Sequence, residues 1–300
     1  MQDNINQIQQ LKKEKNAIIL AHYYQTGDIQ DIADMVGDSY GLSKKARNND
    51  ADIIVFCGVR FMAESAKILS PHKKVLLPAE SAGCPMADMV TPQDIIHLRE
   101  MYPEAAVVCY VNSTSAVKAE SDVCVTSSNA VRVVQSLPQQ QIVFIPDQNL
   151  GRYVAKQLPE KEVILHSGYC IVHHQVSTED VDKAKQALPD AQLLVHPECT
   201  EAVVDLADFV GSTAGIINYA KESAHRRFII GTEMGIMHVL KEQNPDKEFY
   251  LLTPRLLCTN MKKTKMQDIL DALKYDQYEI TLDPDIMERA KKSLDRMLEV

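Results

Sequence analysis

Lys161-Glu162-Val163-Ile164-Leu165-His166-Ser167-Gly168-Tyr169-Cys170 is a short aliphatic run that breaks at small residues and closes on a cysteine. The pattern occurs twice more. Lys74-Val75-Leu76-Leu77 runs on to Cys84-Pro85-Met86, and Lys247-Glu248-Phe249-Tyr250-Leu251-Leu252 runs on to Cys258. Cys84 and Cys170 are 86 residues apart, and Cys170 and Cys258 are 88 apart. Short apolar runs without polar alternation read as buried strands of a parallel sheet. The chain therefore reads as one α/β unit written three times, each copy delivering one cysteine.

Upstream of each cysteine the same grammar holds. In the first unit, Ala17 to Ala21 is a strand ending at His22-Tyr23-Tyr24, and Asp52 to Cys57 is another, followed by a helix from Phe61 to Leu69 that Pro71 ends. Ile29 to Met35 reads as helix and Val36-Gly37-Asp38-Ser39 as a turn. In the second unit, Ala106 to Val111 ends at Asn112-Ser113-Thr114, and Gln141 to Ile145 precedes a helix from Leu150 to Gln157. In the third, Gln192 to Val195 ends at His196-Pro197-Glu198, and Arg227 to Ile230 precedes Gly231-Thr232-Glu233. Cys57, Ile145 and Gly231 keep the period, at steps of 88 and 86. Alternating strands and helices give parallel sheets covered on both faces. The expected fold is α/β: three similar three-layer α/β/α domains with small parallel sheets, arranged with pseudo-threefold symmetry around a central site. The expected units are residues 1–85 with 260–300, 86–171 and 172–259. The last helix, with its stripe of Ile286, Ala290, Leu294 and Met297, is expected to pack on the first unit beside the N-terminal helix.

Composition narrows the function. Of 300 residues, 45% are hydrophobic and 24% charged, ordinary for a globular protein. The segment Met1 to Lys15 lacks the apolar centre of a secretory signal, and no apolar run approaches the ~18 residues of a bilayer span, so the expected compartment is the cytoplasm, without membrane attachment. A formal charge of −9 with no long basic run speaks against nucleic-acid binding. Seven cysteines in such a chain point to buried apolar cysteine, a catalytic thiol or metal ligation rather than disulfides.

Burial is the commonest fate of a single cysteine and suits Cys57, Cys109 and Cys124, which sit in aliphatic strands. It suits Cys84, Cys170 and Cys258 poorly, because they lie in loops at equivalent places. Three thiolates fall short of the four ligands of a structural zinc. An iron–sulfur cluster is commonly held by four cysteines. With three, one iron keeps an open position, and such a metal is a Lewis acid that polarises a hydroxyl or carbonyl.

Three small-residue turns, Gly37-Asp38-Ser39, Thr126-Ser127-Ser128-Asn129 and Gly211-Ser212-Thr213, recur at one place in each unit. They read first as N-caps, worth ~1 kcal/mol each. Their free N–H groups also suit an anionic small molecule. At the first-strand ends stand His22, Tyr24, Tyr110, Asn112 and His196, with Glu198 the one carboxylate and candidate general base. His173-His174 could bind phosphate or carry a proton. No GxGxxG or P-loop is present.

The motifs Ile19-Leu20-Ala21-His22-Tyr23-Tyr24-Gln25, Gly58-Val59-Arg60-Phe61-Met62-Ala63-Glu64, Cys84-Pro85-Met86-Ala87, Tyr110-Val111-Asn112-Ser113-Thr114, Pro146-Asp147-Gln148-Asn149-Leu150-Gly151, His196-Pro197-Glu198-Cys199 and Asn260-Met261-Lys262 occur in order, with the Gly37 and Gly211 turns between them. Over essentially its whole length the chain resembles the quinolinate synthases, the A protein of NAD biosynthesis. The resemblance implies three α/β domains around one [4Fe-4S] cluster per chain, held by Cys84, Cys170 and Cys258. It implies condensation of iminosuccinate with dihydroxyacetone phosphate to quinolinate, with loss of phosphate and two waters. It also implies a functional link to an L-aspartate oxidase or aspartate dehydrogenase. Substrate contacts would come from His22, Ser39, Tyr110, Val111, Asn112, Ser127, His196, Pro197, Glu198 and Thr213. The catalytic set would be Tyr24, Glu198, His22, His196, Tyr110 and His173, with Tyr24 and Glu198 transferring protons. Two departures stand out: the C-terminal CxxC pair of some longer members is absent, and position 23 is Tyr where Asn is common. Two other readings compete: a non-enzymatic iron–sulfur sensor or electron carrier, and a cluster-free α/β enzyme with incidental cysteines.

Overall fold

The computed structural model describes residues 2–300 and contains three separate four-stranded sheets, all of their strands parallel. The first is built from β1 (Ala17–His22), β2 (Met35–Gly37), β3 (Ile53–Cys57) and β4 (Lys74–Leu76), in the order β2-β1-β3-β4. The second is built from β5 (Ala106–Tyr110), β6 (Val123–Val125), β7 (Gln141–Ile145) and β8 (Glu162–Leu165), and the third from β9 (Gln192–Val195), β10 (Phe209–Val210), β11 (Arg227–Gly231) and β12 (Glu248–Leu251). Their orders, β6-β5-β7-β8 and β10-β9-β11-β12, repeat the first. Helices alternate with the strands and cover the sheets, giving three-layer α/β/α units.

One hydrogen-bonded fastener recurs in each unit. The carboxylates of Asp34, Asp122 and Asp208 accept from the backbone N–H of Ile19, Val107 and Leu193, in each case at 2.7 Å. The aspartate N–H returns a bond to the carbonyl of the same residue. Each aspartate also meets a cation, Lys12 at 2.7 Å, Arg99 at 3.1 Å or Lys185 at 2.6 Å. The first strand of each unit outruns its short edge neighbour, so the aspartate supplies an acceptor that the ladder lacks. These edge neighbours, β2, β6 and β10, are only three, three and two residues long. For that reason Met35–Gly37, expected as helix end and turn, is a strand instead.

Strand residues alternate between two apolar layers. In the first sheet Leu20, Ile54 and Phe56 face one cluster, while Ile19, Val55 and Cys57 face another with Ile8, Ile269 and Leu273. In the third, Leu193, Val195 and Ile229 face one side and Leu194, Phe228 and Ile230 the other. The helix Met266–Tyr275 lies against the N-terminal helix Gln2–Glu14.

The last helix, Pro284–Glu299, reaches the first unit as expected, at Arg60–Leu69, but lies between it and the second unit rather than beside the N-terminal helix. It packs on Ser115–Ala119, on β6 and on Arg60–Leu69, bridging the first and second sheets. Ser293 Oγ donates to the Lys118 carbonyl at 2.8 Å, and Asn129 Nδ2 donates to the Met297 carbonyl at 3.0 Å. The small residues Ala290 and Ser293 allow this close approach, whereas an apolar stripe alone says only that some face is covered. Near the C-terminus, Tyr278 to Ile280 pairs antiparallel with β4 and covers that sheet edge. Among the described residues no helix is long and apolar enough to cross a membrane.

Candidate active site

In parallel α/β sheets the strands' carboxyl ends are where ligands bind. Here the carboxyl ends of all three sheets contribute to one cavity. The first unit lines it with His22, Tyr24, Ser39 and Cys84, the second with Tyr110, Asn112, Ser127 and Cys170, and the third with His173, His196, Glu198, Thr213 and Cys258. Val111 and Pro197 are buried next to lining residues in the chain and do not themselves line the cavity. No lysine or arginine lines it among the described residues.

Glu198 sits at the centre of the polar set. It is 3% exposed, its Oε2 is 2.7 Å from His173 Nδ1 and 3.4 Å from His196 Nδ1, and Tyr110 hydrogen-bonds the carboxylate. Burial pushes the carboxyl up, but the two histidines and the bond from Tyr110 outweigh it and hold Glu198 below the usual carboxylate range. Its Oε1 is buried without a hydrogen-bond partner among the described residues, as is Asn112 Oδ1. Buried acceptors left unpaired cost about 1–3 kcal/mol each, so both atoms are poised for a ligand.

The flanking groups are held in fixed forms. Burial lowers His22 and His196 to about 3, so both rings are neutral at pH 7. His22 Nδ1 accepts from the Tyr24 N–H at 3.1 Å, which leaves the hydrogen on Nε2. His196 Nε2 is 3.2 Å from Ser127 Oγ, and the His173 and His196 rings stack at 4.8 Å. Burial raises the Tyr24 and Tyr110 hydroxyls well above their ordinary values, so both keep their protons. Tyr24 OH meets Thr213 Oγ1 at 2.9 Å. Of the three turns, Asp38 and Ser212 do cap the helices that follow, at Gly41 N and Gly215 N. Asn129 departs from that expectation: it makes no cap bond, and its side chain turns back to accept from Thr126 N. Ser128 Oγ donates to Asp38 at 2.6 Å and ties the first two turns together.

A family profile described as Quinolinate synthetase A protein matches residues 6–299. The chain belongs to the quinolinate synthase family. It is therefore an enzyme of NAD biosynthesis acting on small molecules. The quinolinate synthase of Caldicellulosiruptor bescii is 57% identical over 295 residues, covering 98% of this chain and 97% of that protein. That of Clostridioides difficile is 52% identical over 288 residues, covering 96% and 95%. That of Aquifex aeolicus is 49% identical over 299 residues, covering 98% and 93%.

The cysteines of this quinolinate synthase family member divide as their contexts suggest. Cys57, Cys109, Cys124 and Cys199 are buried and free, whereas Cys84, Cys170 and Cys258 are partly exposed and line the cavity. Burial pushes Cys84 up to about 12, and pushes Cys170 and Cys258 up as well. Three thiols on a cavity lined by no lysine or arginine are costly as bare thiolates, and a metal centre would supply positive charge beyond that of Lys262 near Cys258. The donor set thus fits a three-cysteine group. Cys170 Sγ, a His173 ring nitrogen and a Glu198 oxygen also lie within 4.8 Å of one another, close enough to hold a metal ion.

Four functional neighbours escaped the sequence reading. Asp147 Oδ2 accepts from the Cys170 N–H at 3.0 Å, and Glu233 Oε1 accepts from the Cys258 N–H at 3.0 Å. The two acids are 86 residues apart, each just past the third strand of its unit. Lys262 pairs with Glu233 at 2.9 Å and also donates to the Tyr24 carbonyl. Thr232 is fully buried beside Tyr24 and His173. The repeat period already noted for Cys57, Ile145 and Gly231 was the signal that could have found Asp147 and Glu233.

Proposed function

We propose that the chain condenses iminosuccinate with dihydroxyacetone phosphate to quinolinate, releasing phosphate and two waters. On this reading Cys84, Cys170 and Cys258 hold one [4Fe-4S] cluster, and the units are residues 1–85 with 260–300, 86–171 and 172–259, set about a pseudo-threefold axis. When bound, the cluster supplies an iron with a free position, a Lewis acid for hydroxyl or carbonyl groups. The observation that carries the reading is the convergence of one thiol from each unit on the cavity that also holds Glu198, His22, Tyr24, Tyr110 and His196. An electron carrier or sensor would have no use for that polar set.

The chain's own residues divide the remaining work. Iminosuccinate carries two carboxylates, and the Ser39, Ser127 and Thr213 turns offer neutral hydroxyl and N–H donors from three sides. Asn112 and the neutral His22 and His196 orient the bound molecule. Glu198, with one oxygen unpaired, takes a proton from carbon or nitrogen, and Tyr110 and His173 stabilise its charge. Tyr24 handles a second proton, and His173 contacts the phosphate or the condensed intermediate. The compartment is the cytoplasm, and an L-aspartate oxidase or aspartate dehydrogenase supplies the imine.

Glu198→Gln tests this reading. The change keeps shape and the contact with Tyr110 but replaces a proton acceptor. Iron content should stay at the wild-type value while quinolinate formation falls ~10²–10⁴-fold, the usual worth of a positioned base. Normal turnover by this variant would refute the assignment.

A further inference from the structure

The segment 110–115 joins β5 to the helix Ser115–Ala119 and brings Tyr110 and Asn112 to the cavity. Asn112 Oδ1 is buried with no hydrogen-bond partner among the described residues, so the backbone that carries this side chain sets its place. Two bonds within the segment close the turn. Ser113 Oγ donates to the Tyr110 carbonyl at 2.9 Å, and the Ser113 N–H donates to the Val111 carbonyl at 2.8 Å.

Two buried side chains grip the same turn. Lys118, which is 0% exposed, donates from Nζ to the Ser113 carbonyl. Glu64, 9% exposed, accepts from the Ser115 N–H through Oε2 at 3.1 Å. Lys118 and Glu64 thus hold the two peptide groups that flank Thr114. Glu64 comes from the helix Arg60–Leu69, 51 residues away, which also sends Phe61 to the cavity wall. The Phe61 ring centroid is 5.5 Å from Lys118 Nζ, so the stem and head of this lysine are packed on both sides. Burying a lysine and a glutamate is costly, and apolar side chains of similar volume fill such space at least as well. What these two supply, and apolar residues cannot, is one donor and one acceptor for the backbone of the turn.

We infer that Lys118 and Glu64 are positioning residues that fix the turn presenting Asn112, so that affinity for the dicarboxylate is set in part from behind the cavity wall. This rests on the proposed role of Asn112 in orienting the bound molecule. Neither Lys118 nor Glu64 lines the cavity, and their effect runs through the backbone of Ser113 and Ser115. Removing either bond lets the turn relax and moves the Asn112 amide away from its ligand.

The test is calorimetric titration of the iron-loaded enzyme with quinolinate, which keeps the two carboxylates of iminosuccinate. Lys118→Met keeps the length of the side chain without its donor, and Glu64→Leu removes the acceptor. Each should raise the Kd by ~3–10-fold, the worth of one hydrogen bond, as should Asn112→Ala. Glu64→Gln keeps an acceptor oxygen and should bind within about twofold of wild type. In the Asn112→Ala background, adding Lys118→Met should cost no more than about twofold, because both changes remove one contact with the ligand; general loosening of the fold would add its full cost there too. Wild-type affinity in both Lys118→Met and Glu64→Leu, a Glu64→Gln as weak as Glu64→Leu, or full additivity with Asn112→Ala would each overturn the inference. Should Lys118→Met fail to load iron, the leucine and glutamine variants at Glu64 carry the test; failure of both Lys118→Met and Glu64→Leu to load would make the role one of folding and overturn it as well. Wild-type affinity in Asn112→Ala would refute the underlying assignment of Asn112, whereas a weakened Asn112→Ala beside unchanged Lys118→Met and Glu64→Leu would overturn this inference alone.

Discussion

Gly235→Ala isolates the contact by which the third unit holds the Tyr24 turn in place. Gly235 has φ −60 and ψ −26, helical values that alanine adopts freely. Conformation alone would therefore favour the change by up to ~1 kcal/mol. Sterics oppose it. An added Cβ would lie 2.6 Å from Tyr24 Cα, 2.7 Å from the Tyr24 carbonyl carbon and 2.7 Å from Tyr23 O, against about 3.4 Å for the close limit of ordinary contact. All three are backbone atoms, so the turn must move by roughly 0.8 Å or the loop must back away. The loop is poorly placed to yield. Gly235 N–H donates to Glu233 at 2.7 Å, and Gln30 Nε2 donates at 3.0 Å both to the Gly235 carbonyl and to the Tyr23 carbonyl, clamping the two segments together. Overpacking of this kind costs ~1–3 kcal/mol, leaving a net loss near ~1–2 kcal/mol. A shift of that size along either Tyr24 hydroxyl contact, 2.9 Å to Thr213 and 2.8 Å to Thr232, takes the bond out of range. Misplacement by about 1 Å costs on the order of 10²-fold in rate. Urea unfolding and steady-state turnover of the iron-loaded protein give both numbers. A variant as active as wild type and equally or more stable would refute the idea that backbone contact with the third unit sets the Tyr24 position.

The carboxylates under the cysteine loops and at the surface make further predictions. Glu233 is fully buried and Lys262 only 17% exposed, so Glu233→Gln leaves a mostly buried ammonium without its counter-charge and should destabilise by on the order of 3 kcal/mol in urea unfolding. A loss below ~1 kcal/mol would mean that water reaches the pair. Asp276 ends the helix Met266–Tyr275 in the left-handed region at φ 54, and hydrogen bonds from Lys15 and Lys74, at 2.8 and 2.9 Å, hold its carboxyl below the usual range. Asp276→Asn keeps a residue that tolerates this backbone and should cost no more than ~1 kcal/mol at neutral pH, because the pair is 38% exposed on the aspartate side. A depressed folded-state value means that the contribution is present above the unfolded pKa of about 3.9 and fades as pH falls through the lower folded one, so wild type and variant should converge only once pH is below that lower value. Persistent difference at acid pH would assign the effect to backbone geometry rather than charge.

What the sequence disclosed and what it hid have physical reasons. The long central strands β1, β3, β5, β7, β9 and β11 are aliphatic because both of their faces are covered, so they stood out, and with them the period that carries Cys84, Cys170 and Cys258 into loops. The short edge strand β2 did not, because three residues are too few to show a period. Asp34, Asp122 and Asp208 were not singled out, although they share the repeat; their work is a backbone hydrogen bond made across 15 residues, which no local pattern encodes. Asp147, Glu233 and Thr232 were missed for a related reason: each is engaged by hydrogen bonds to groups far off in sequence. The last helix was expected on the first unit alone and also packs on the second, because its stripe of Ala290, Leu294 and Met297 specifies burial but not every partner.

The central claim is that one thiol from each unit holds a shared iron–sulfur cluster. Iron and sulfide content, measured with the visible absorption of protein purified without oxygen, tests it most directly. The account predicts about four irons per chain in a brown protein. It predicts that Cys84→Ser, Cys170→Ser and Cys258→Ser each lose that content and colour, while Cys57→Ala and Cys199→Ala retain both. A colourless, iron-free wild type, or a triple serine variant that keeps its iron, would contradict it.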